Sequence, residues 1–270
     1  MTEKVFETER GSIHYWINSD APGKLTLVFL PGLTADHRLF RQQIACFEGR
    51  YPLLVWDAPG HYLSRPFQLD FTLMDKAAWL HAILEKEHME NIVLIGQSMG
   101  GYVSQCYMER YPGTVKGFVS IDSAPLQKKY MTGAEIWMLK HTEAMYRAYP
   151  WKALKKAGTK GCSETEYGRQ LMAEMMDTYD KEYYVKLASH GYRILGEAVE
   201  ADLPYQIHCP ALLLCGVCDK AGSTKRYNLA WTKAAGIPLQ LIPDAGHNSN
   251  TDNPEAVNGS IAAFLEEIER

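Results

Sequence analysis

The stretch Asn91-Ile-Val-Leu-Ile-Gly-Gln-Ser-Met-Gly-Gly101 constrains this chain's fold more than any other. Ile92 to Ile95 is an unbroken apolar run that stops at Gly96, as a strand buried on both faces would. The next apolar periodicity, at Tyr102, Val103, Cys106 and Tyr107, is helical. Between the two lies Gly96-Gln97-Ser98-Met99-Gly100, a G-x-S-x-G pattern. With a strand before it and a helix after it, this pattern puts Ser98 on a tight, strained turn, its Oγ exposed above the sheet edge. Glycine is needed on both sides because the two backbones pass too close for a Cβ. The helix N-terminus that follows adds partial positive charge where an oxyanion would form. An ordinary glycine-rich turn shares the pattern, so the remainder of the chain must supply the chemistry.

Taken in order, the chain alternates strands with helices. Residues 5–8 and 12–18 read as a β-hairpin joined at Gly11. Residues 25–30 form a buried strand running into Pro31-Gly32, 37–47 a helix, and 52–56 a strand ending at Asp57. A long amphipathic helix at 72–88 carries Leu73, Ala77, Leu80, Ile83 and Leu84 on one face. After the central stretch come a helix at 99–110 and a strand at 115–121. The rhythm resumes with a strand at 210–215, a helix near 223–235, a strand at 238–242 and a final helix from Pro254 to Glu267. Such alternation predicts an α/β fold with a mostly parallel, eight-stranded sheet covered on both faces. Ligands of such sheets sit beyond the carboxyl ends of the strands. Leu30-Pro31-Gly32, Asp57, Ser98, Asp122 and Asp219 all fall there.

Residues 125–205 break the rhythm. They contain no convincing strand and predict three or four helices, with breaks near Pro150, Gly158-Gly161 and Asp180. The expected organisation is therefore a core of residues 1–124 and 206–270, interrupted by a helical cap at 125–205. The cap is rich in Met, Tyr and Trp, which can simply bury its own interior. They can also form an adaptable apolar pocket over the strand ends, because Met repacks easily. His61, Met138, Met145 and Met176 are the pocket candidates.

Composition excludes several classes. A net charge of −4 leaves no basic footprint for nucleic acid. No apolar run approaches the roughly 20 residues of a membrane span. The charged N-terminus lacks the apolar core of an export signal, so a cytoplasmic location is expected, with neither nucleic acid nor membrane as partner. Six scattered cysteines suit reduced thiols. Cys215-Gly-Val-Cys218, with Cys209 upstream, could suggest a metal or redox site. However, a strand at 211–214 would hold Cys209 roughly 20 Å from Cys215, too far for one tetrahedral ion. No metal and no cofactor are expected.

With these residues in hand, the chain resembles the α/β-hydrolase superfamily over nearly its whole length. The resemblance rests on Gly96-Gln-Ser-Met-Gly-Gly101, on Asp219 after the strand at 211–214, and on Gly246-His247 after the last strand. The order Ser…Asp…His is that of this fold. Asp57-Ala-Pro-Gly-His-Tyr-Leu-Ser64 resembles a family loop, D-x-x-G-x-G-x-S, with Tyr62 where the second Gly usually stands. A serine hydroxyl needs a base within hydrogen-bond reach, and His247 is the candidate. Asp219 would orient the imidazole. Asp122, one strand earlier, is its rival, since some members carry the acid there. An oxyanion hole needs two N–H donors. Met99 follows the nucleophile. The resemblance assigns the second to Leu33, after Pro31-Gly32, where the family has His-Gly.

The resemblance implies a serine hydrolase acting through an acyl-enzyme, with a small-molecule carboxylic ester as substrate. Enol-lactonases, homoserine-lactone hydrolases and C–C bond hydrolases share the Gly-x-Ser-Met-Gly-Gly motif. The last usually carry Trp after the histidine, where this chain has Asn248. A non-hydrolytic ligand-binding protein on the same fold is the alternative of a different class. The acyl group, the leaving group and the oligomeric state are not legible.

Overall fold

A computed structural model describes residues 1–21 and 24–270. Its eight strands are β1 (Thr2–Thr8), β2 (Gly11–Asn18), β3 (Thr26–Leu30), β4 (Leu53–Trp56), β5 (Ile92–Gln97), β6 (Val115–Ile121), β7 (Ala211–Gly216) and β8 (Leu239–Ile242). They form one sheet in the order β1-β2-β4-β3-β5-β6-β7-β8. The β1–β2 hairpin and the β2–β4 pair are antiparallel, and all other pairs are parallel. This is the expected α/β-hydrolase architecture.

The sheet is buried on both sides because its strands are apolar on both faces. Val28, Leu30, Leu54, Trp56, Leu94, Phe118 and Leu213 point to one layer. Covering that layer are α2 (Leu73–Lys86), α3 (Met99–Arg110) and α9 (Thr224–Ala235), through residues such as Leu80, Tyr107 and Trp231. Leu27, Phe29, Leu53, Val55, Ile95, Val119 and Leu214 point to the other layer. There they meet Phe47 of α1 (Arg41–Phe47) and Ile261 and Phe264 of α11 (Pro254–Glu269). Thr72 caps α2 with a reciprocal bond to Asp75, which is why that helix begins where it does. The helix expected at 37–47 is in fact a short 3-10 turn, His37–Phe40, followed by α1.

Between β6 and β7 the described chain holds only helices: a 3-10 turn at Lys128–Tyr130, then α4 (Gly133–Lys140), α5 (Glu143–Ala148), α6 (Trp151–Cys162), α7 (Glu166–Met176) and α8 (Lys181–Glu200). The break expected at Gly158-Gly161 does not occur, and α6 runs on to Cys162. Gly158 is there for packing: a Cβ on it would lie 2.6 Å from Met176 Sδ. A short helix, α10 (Ser249–Asp252), precedes α11.

Parallel register sets the site. Leu30 pairs with Gly96, Gln97 with Ile121, Ile121 with Leu214, and Gly216 with Ile242. The loops after β3, β5, β6, β7 and β8 therefore leave the sheet side by side. The chain reverses direction across the sheet between β3 and β5, the kind of switch point that opens a crevice at the strand ends.

Candidate active site

Ser98 occupies the turn from β5 into α3 with φ 48° and ψ −115°, a left-handed conformation that a non-glycine residue adopts only under constraint. The constraint is close packing: a Cβ on Gly96 would lie 2.4 Å from the Gly100 carbonyl carbon, and one on Gly100 would lie 1.8 Å from the Leu30 carbonyl oxygen. The Ser98 N–H donates to the Ile121 carbonyl at 2.9 Å, fastening the turn to β6. The side chain is left facing the crevice.

His247 comes from the loop after β8, and its Nε2 lies 2.9 Å from Ser98 Oγ. Its Nδ1 lies 3.0 Å from Asp219 Oδ2, in the loop after β7. Asp219 Oδ1 in turn accepts the Ala221 N–H at 2.8 Å, which fixes the carboxylate plane. Burial alone would push the imidazole pKa down. The Asp219 hydrogen bond and charge, with Asp122 behind it, instead hold it above the ordinary 6.5. The structure thus brings together the three side chains singled out from sequence.

Asp122, the rival acid, is near but does a different job. Its backbone has φ 47°, and burial pushes its carboxyl up to about 7. Oδ1 accepts the Gly216 N–H at 2.7 Å and Oδ2 accepts the Ser249 N–H at 2.8 Å. It therefore clips the Asp219-bearing loop to the His247-bearing loop without hydrogen-bonding the imidazole. Sequence reading placed Asp122 at a strand end but could not tell a clip from an acid, because only the direction of its two oxygens separates them. Gln97 was missed altogether. Its buried Nε2 donates to the His247 carbonyl at 2.8 Å and to Asn248 Oδ1 at 3.1 Å. Asp252 was missed too: it accepts the N–H groups of Gly246, Glu164 and Thr165, tying the cap's α6–α7 junction to the histidine loop.

Leu33 lies in the loop after β3, next to Gly32, on which a Cβ would come 3.1 Å from Ser98 Cβ, and Met99 opens α3. The Leu33 side chain is pressed by α8, where a Cβ on Gly191 would come within 2.4 Å of its Cδ1.

The four pocket candidates are not where the sequence reading put them. Met138 and Met145 are 63% and 50% exposed on the outside of the cap. Met176 is fully buried among Leu154, Tyr179 and Tyr184 in the cap's own interior. His61 is buried too, with Nδ1 against the carbonyls of Ala58 and Pro59. Burial and the nearby Lys76 ammonium push its pKa down to about 3. A sequence rich in Met and aromatics supplies interior, wall and surface alike, and composition does not sort them. Buried groups that feel the Asp219 charge include Cys162, whose thiol burial pushes up to about 12, and Tyr102, also pushed up by burial. Tyr192 of α8 neighbours both and stacks on Tyr146.

Tyr62, which departs from the loop pattern, adopts φ 37°, the glycine-like region, with the Arg38 guanidinium 4.4 Å from its ring centroid. Two clusters bring possible metal donors within 4.8 Å: Asp36, His37 and Asp57, and Asp122, Cys215 and Asp219. In both, the carboxylates already accept hydrogen bonds, from Arg38 and His37 in the first and from Gly216, Ser249 and Ala221 in the second. All six cysteines are free thiols.

A parallel sheet with a nucleophile-like turn at its switch point defines a class. The family described as alpha/beta hydrolase fold matches residues 26–254, and the chain belongs to it. It is similar to an (E)-2-((N-methylformamido)methylene)succinate hydrolase of Acinetobacter baylyi, at 25% identity over 244 residues, covering 89% of this chain and 90% of that protein. A 2-succinyl-6-hydroxy-2,4-cyclohexadiene-1-carboxylate synthase of Klebsiella pneumoniae is also 25% identical, over 269 residues, covering 92% and 97%. The enol-lactonase of Burkholderia xenovorans shares the fold with a TM-score of 0.74 at 22% identity, covering 97% of this chain and 100% of that one. A thermophilic esterase of Thermogutta terrifontis does so with a TM-score of 0.75 at 18% identity, covering 100% of both. Hydrolases and a synthase on one fold mean that the site, not the fold, must decide the reaction.

Proposed function

We propose that this protein is a serine hydrolase that cleaves a small-molecule carboxylic ester through an acyl-enzyme. The carrying observation is the unbroken relay from Ser98 Oγ to His247 Nε2 at 2.9 Å and from His247 Nδ1 to Asp219 at 3.0 Å. In this reading Asp219 accepts the Nδ1–H, so the lone pair of Nε2 faces the serine hydroxyl. His247 takes the Ser98 proton as Oγ bonds to the substrate carbonyl carbon. The carbonyl oxygen becomes an oxyanion, held by the N–H groups of Met99 and Leu33. The intermediate collapses, and the imidazolium returns its proton to the departing alkoxide. Water then repeats the sequence on the acyl-enzyme, with His247 as base, and releases the acid and free Ser98.

A lactone is an ester whose leaving group stays attached, so the same groups would open one. The shared fold of the enol-lactonase makes lactones the second reading. The test is a panel of nitrophenyl esters of rising acyl length, with five- and six-membered lactones, on wild type and Ser98→Ala. Turnover of at least one class, lowered about 10³-fold or more in the variant with an unchanged fold, is the expected result. Turnover unaffected by Ser98→Ala would remove the serine mechanism. Binding without turnover would favour a ligand-binding role.

A further inference from the structure

Hydrogen bonds hold the backbone on both sides of His247, and both lead to the cap. The Asn248 N–H donates directly to the carbonyl of Cys162, the last residue of α6, at 2.7 Å. The Gly246 N–H donates to Asp252 Oδ2 at 2.8 Å, and the same oxygen accepts the Glu164 N–H at 2.9 Å. Asp252 Oδ1 accepts the Thr165 N–H at 3.0 Å and the Thr165 hydroxyl at 2.7 Å. Thr165 in turn caps α7, its Oγ1 accepting the Gly168 N–H at 3.1 Å. One half-buried carboxylate therefore takes four donors, one from the histidine loop and three from the α6–α7 junction. No side chain separates the two segments: a Cβ on Gly246 would lie 3.2 Å from the Cys162 carbonyl oxygen. The core supplies its own anchors, Gln97 on the His247 carbonyl and Asp122 on the Ser249 N–H.

Bonds to a carboxylate are charge-assisted and stronger than those between neutral groups. With both oxygens engaged, the junction cannot slide along the histidine loop without breaking several of them. The imidazole has little room to follow, because it must meet Ser98 at 2.9 Å and Asp219 at 3.0 Å together. A displacement of about 1 Å takes both contacts out of hydrogen-bond range, and such misplacement can cost about 10²-fold in rate. We propose that Asp252 is a positioning residue for His247, through which the α6–α7 junction of the cap sets where the imidazole stands between Ser98 and Asp219. The proposal rests on His247 being the base of the reaction. Asp252 itself bonds only backbone N–H groups and the Thr165 hydroxyl, and no atom of the imidazole.

Asp252→Asn keeps the shape of the side chain but turns an NH₂ toward two of the four donors, whichever way the amide sits. On a nitrophenyl ester its kcat should fall about 10- to 10²-fold with KM within about twofold of wild type. A second readout is the titration of the His247 ring protons by NMR, on the full chain. The carboxylates of Asp219 and Asp122 bear on the imidazole, and Asp219 holds its pKa above 6.5. An imidazole that drifts from Asp219 loses that support, so its midpoint should fall by about half a pH unit or more. Thr165→Val removes one donor on the cap side and leaves the Gly246 bond in place. It should move kcat and the midpoint in the same direction by less, and it carries the test should Asp252→Asn fail to fold. Because both act through one contact, the double variant should cost less than the product of the two. A lowered melting temperature with kcat and the His247 midpoint unmoved would overturn the proposal and leave Asp252 a clamp on the fold alone. A shift in Asp252→Asn with none in Thr165→Val would overturn the part given to the cap. The titration needs no turnover: a wild type that cleaves no ester, with both midpoints shifted, would remove the hydrolase reading and leave the positioning intact.

Discussion

At the scale of the residue, the site separates Asp219, the acid the sequence favours, from its rival Asp122. Asp219 hydrogen-bonds the imidazole, while both oxygens of Asp122 accept backbone N–H groups from Gly216 and Ser249. Asp219→Asn should cost on the order of 10³- to 10⁴-fold in kcat, because the amide favours the wrong imidazole tautomer. Asp122→Asn turns an NH₂ toward a backbone N–H, so its cost should fall on stability, about 1–3 kcal/mol, with kcat down tenfold or less. Steady-state kinetics and thermal melts on the two variants check this, and the reverse ranking would make Asp122 the acid. The pH profile follows from His247. The imidazole must be neutral to take the serine proton, so activity falls as pH drops through its pKa. That pKa is held above 6.5 by Asp219. The acidic limb of kcat/KM should therefore lie above pH 6.5, and a limb at or below it would show that the pair is not formed in the free enzyme.

At the scale of the element, what was legible was whatever periodicity and short motifs encode. The apolar run at 92–95 specified β5, the glycines around Ser98 specified its turn, and Gly246-His247 specified the loop after β8. Gln97 and Asp252 were not legible, because a loop polar residue acquires its partners only when distant segments meet. The cap was legible as helical but not in orientation, since α4 and α5 are so short that one turn decides which side chain faces the core. One consequence concerns α8. Gly191 lies against Leu33, and a Cβ there would meet a side-chain methyl at 2.4 Å rather than backbone, so the neighbour can yield at modest cost. Gly191→Ala should lower the melting temperature little but displace the Leu33 loop. Loss of one oxyanion donor costs about 10²- to 10³-fold, so partial displacement should cost about tenfold in kcat. A variant with wild-type kcat would show that the Leu33 backbone is indifferent to α8.

At the scale of the whole molecule, the sheet acts as a frame whose register sets five loops side by side, and α8 packs against Leu33 in the first of them. The expected topology was legible because α/β alternation leaves few ways to connect parallel strands. The central claim is that this frame exists to expose one activated serine. The most direct test is to treat the native protein with a fluorophosphonate and map the adduct by peptide mass spectrometry. One phosphonyl group per chain on the peptide carrying Ser98, absent when the protein is unfolded before treatment and formed far more slowly in His247→Ala, is the predicted result. An adduct on another serine, or no adduct on folded protein, would contradict it.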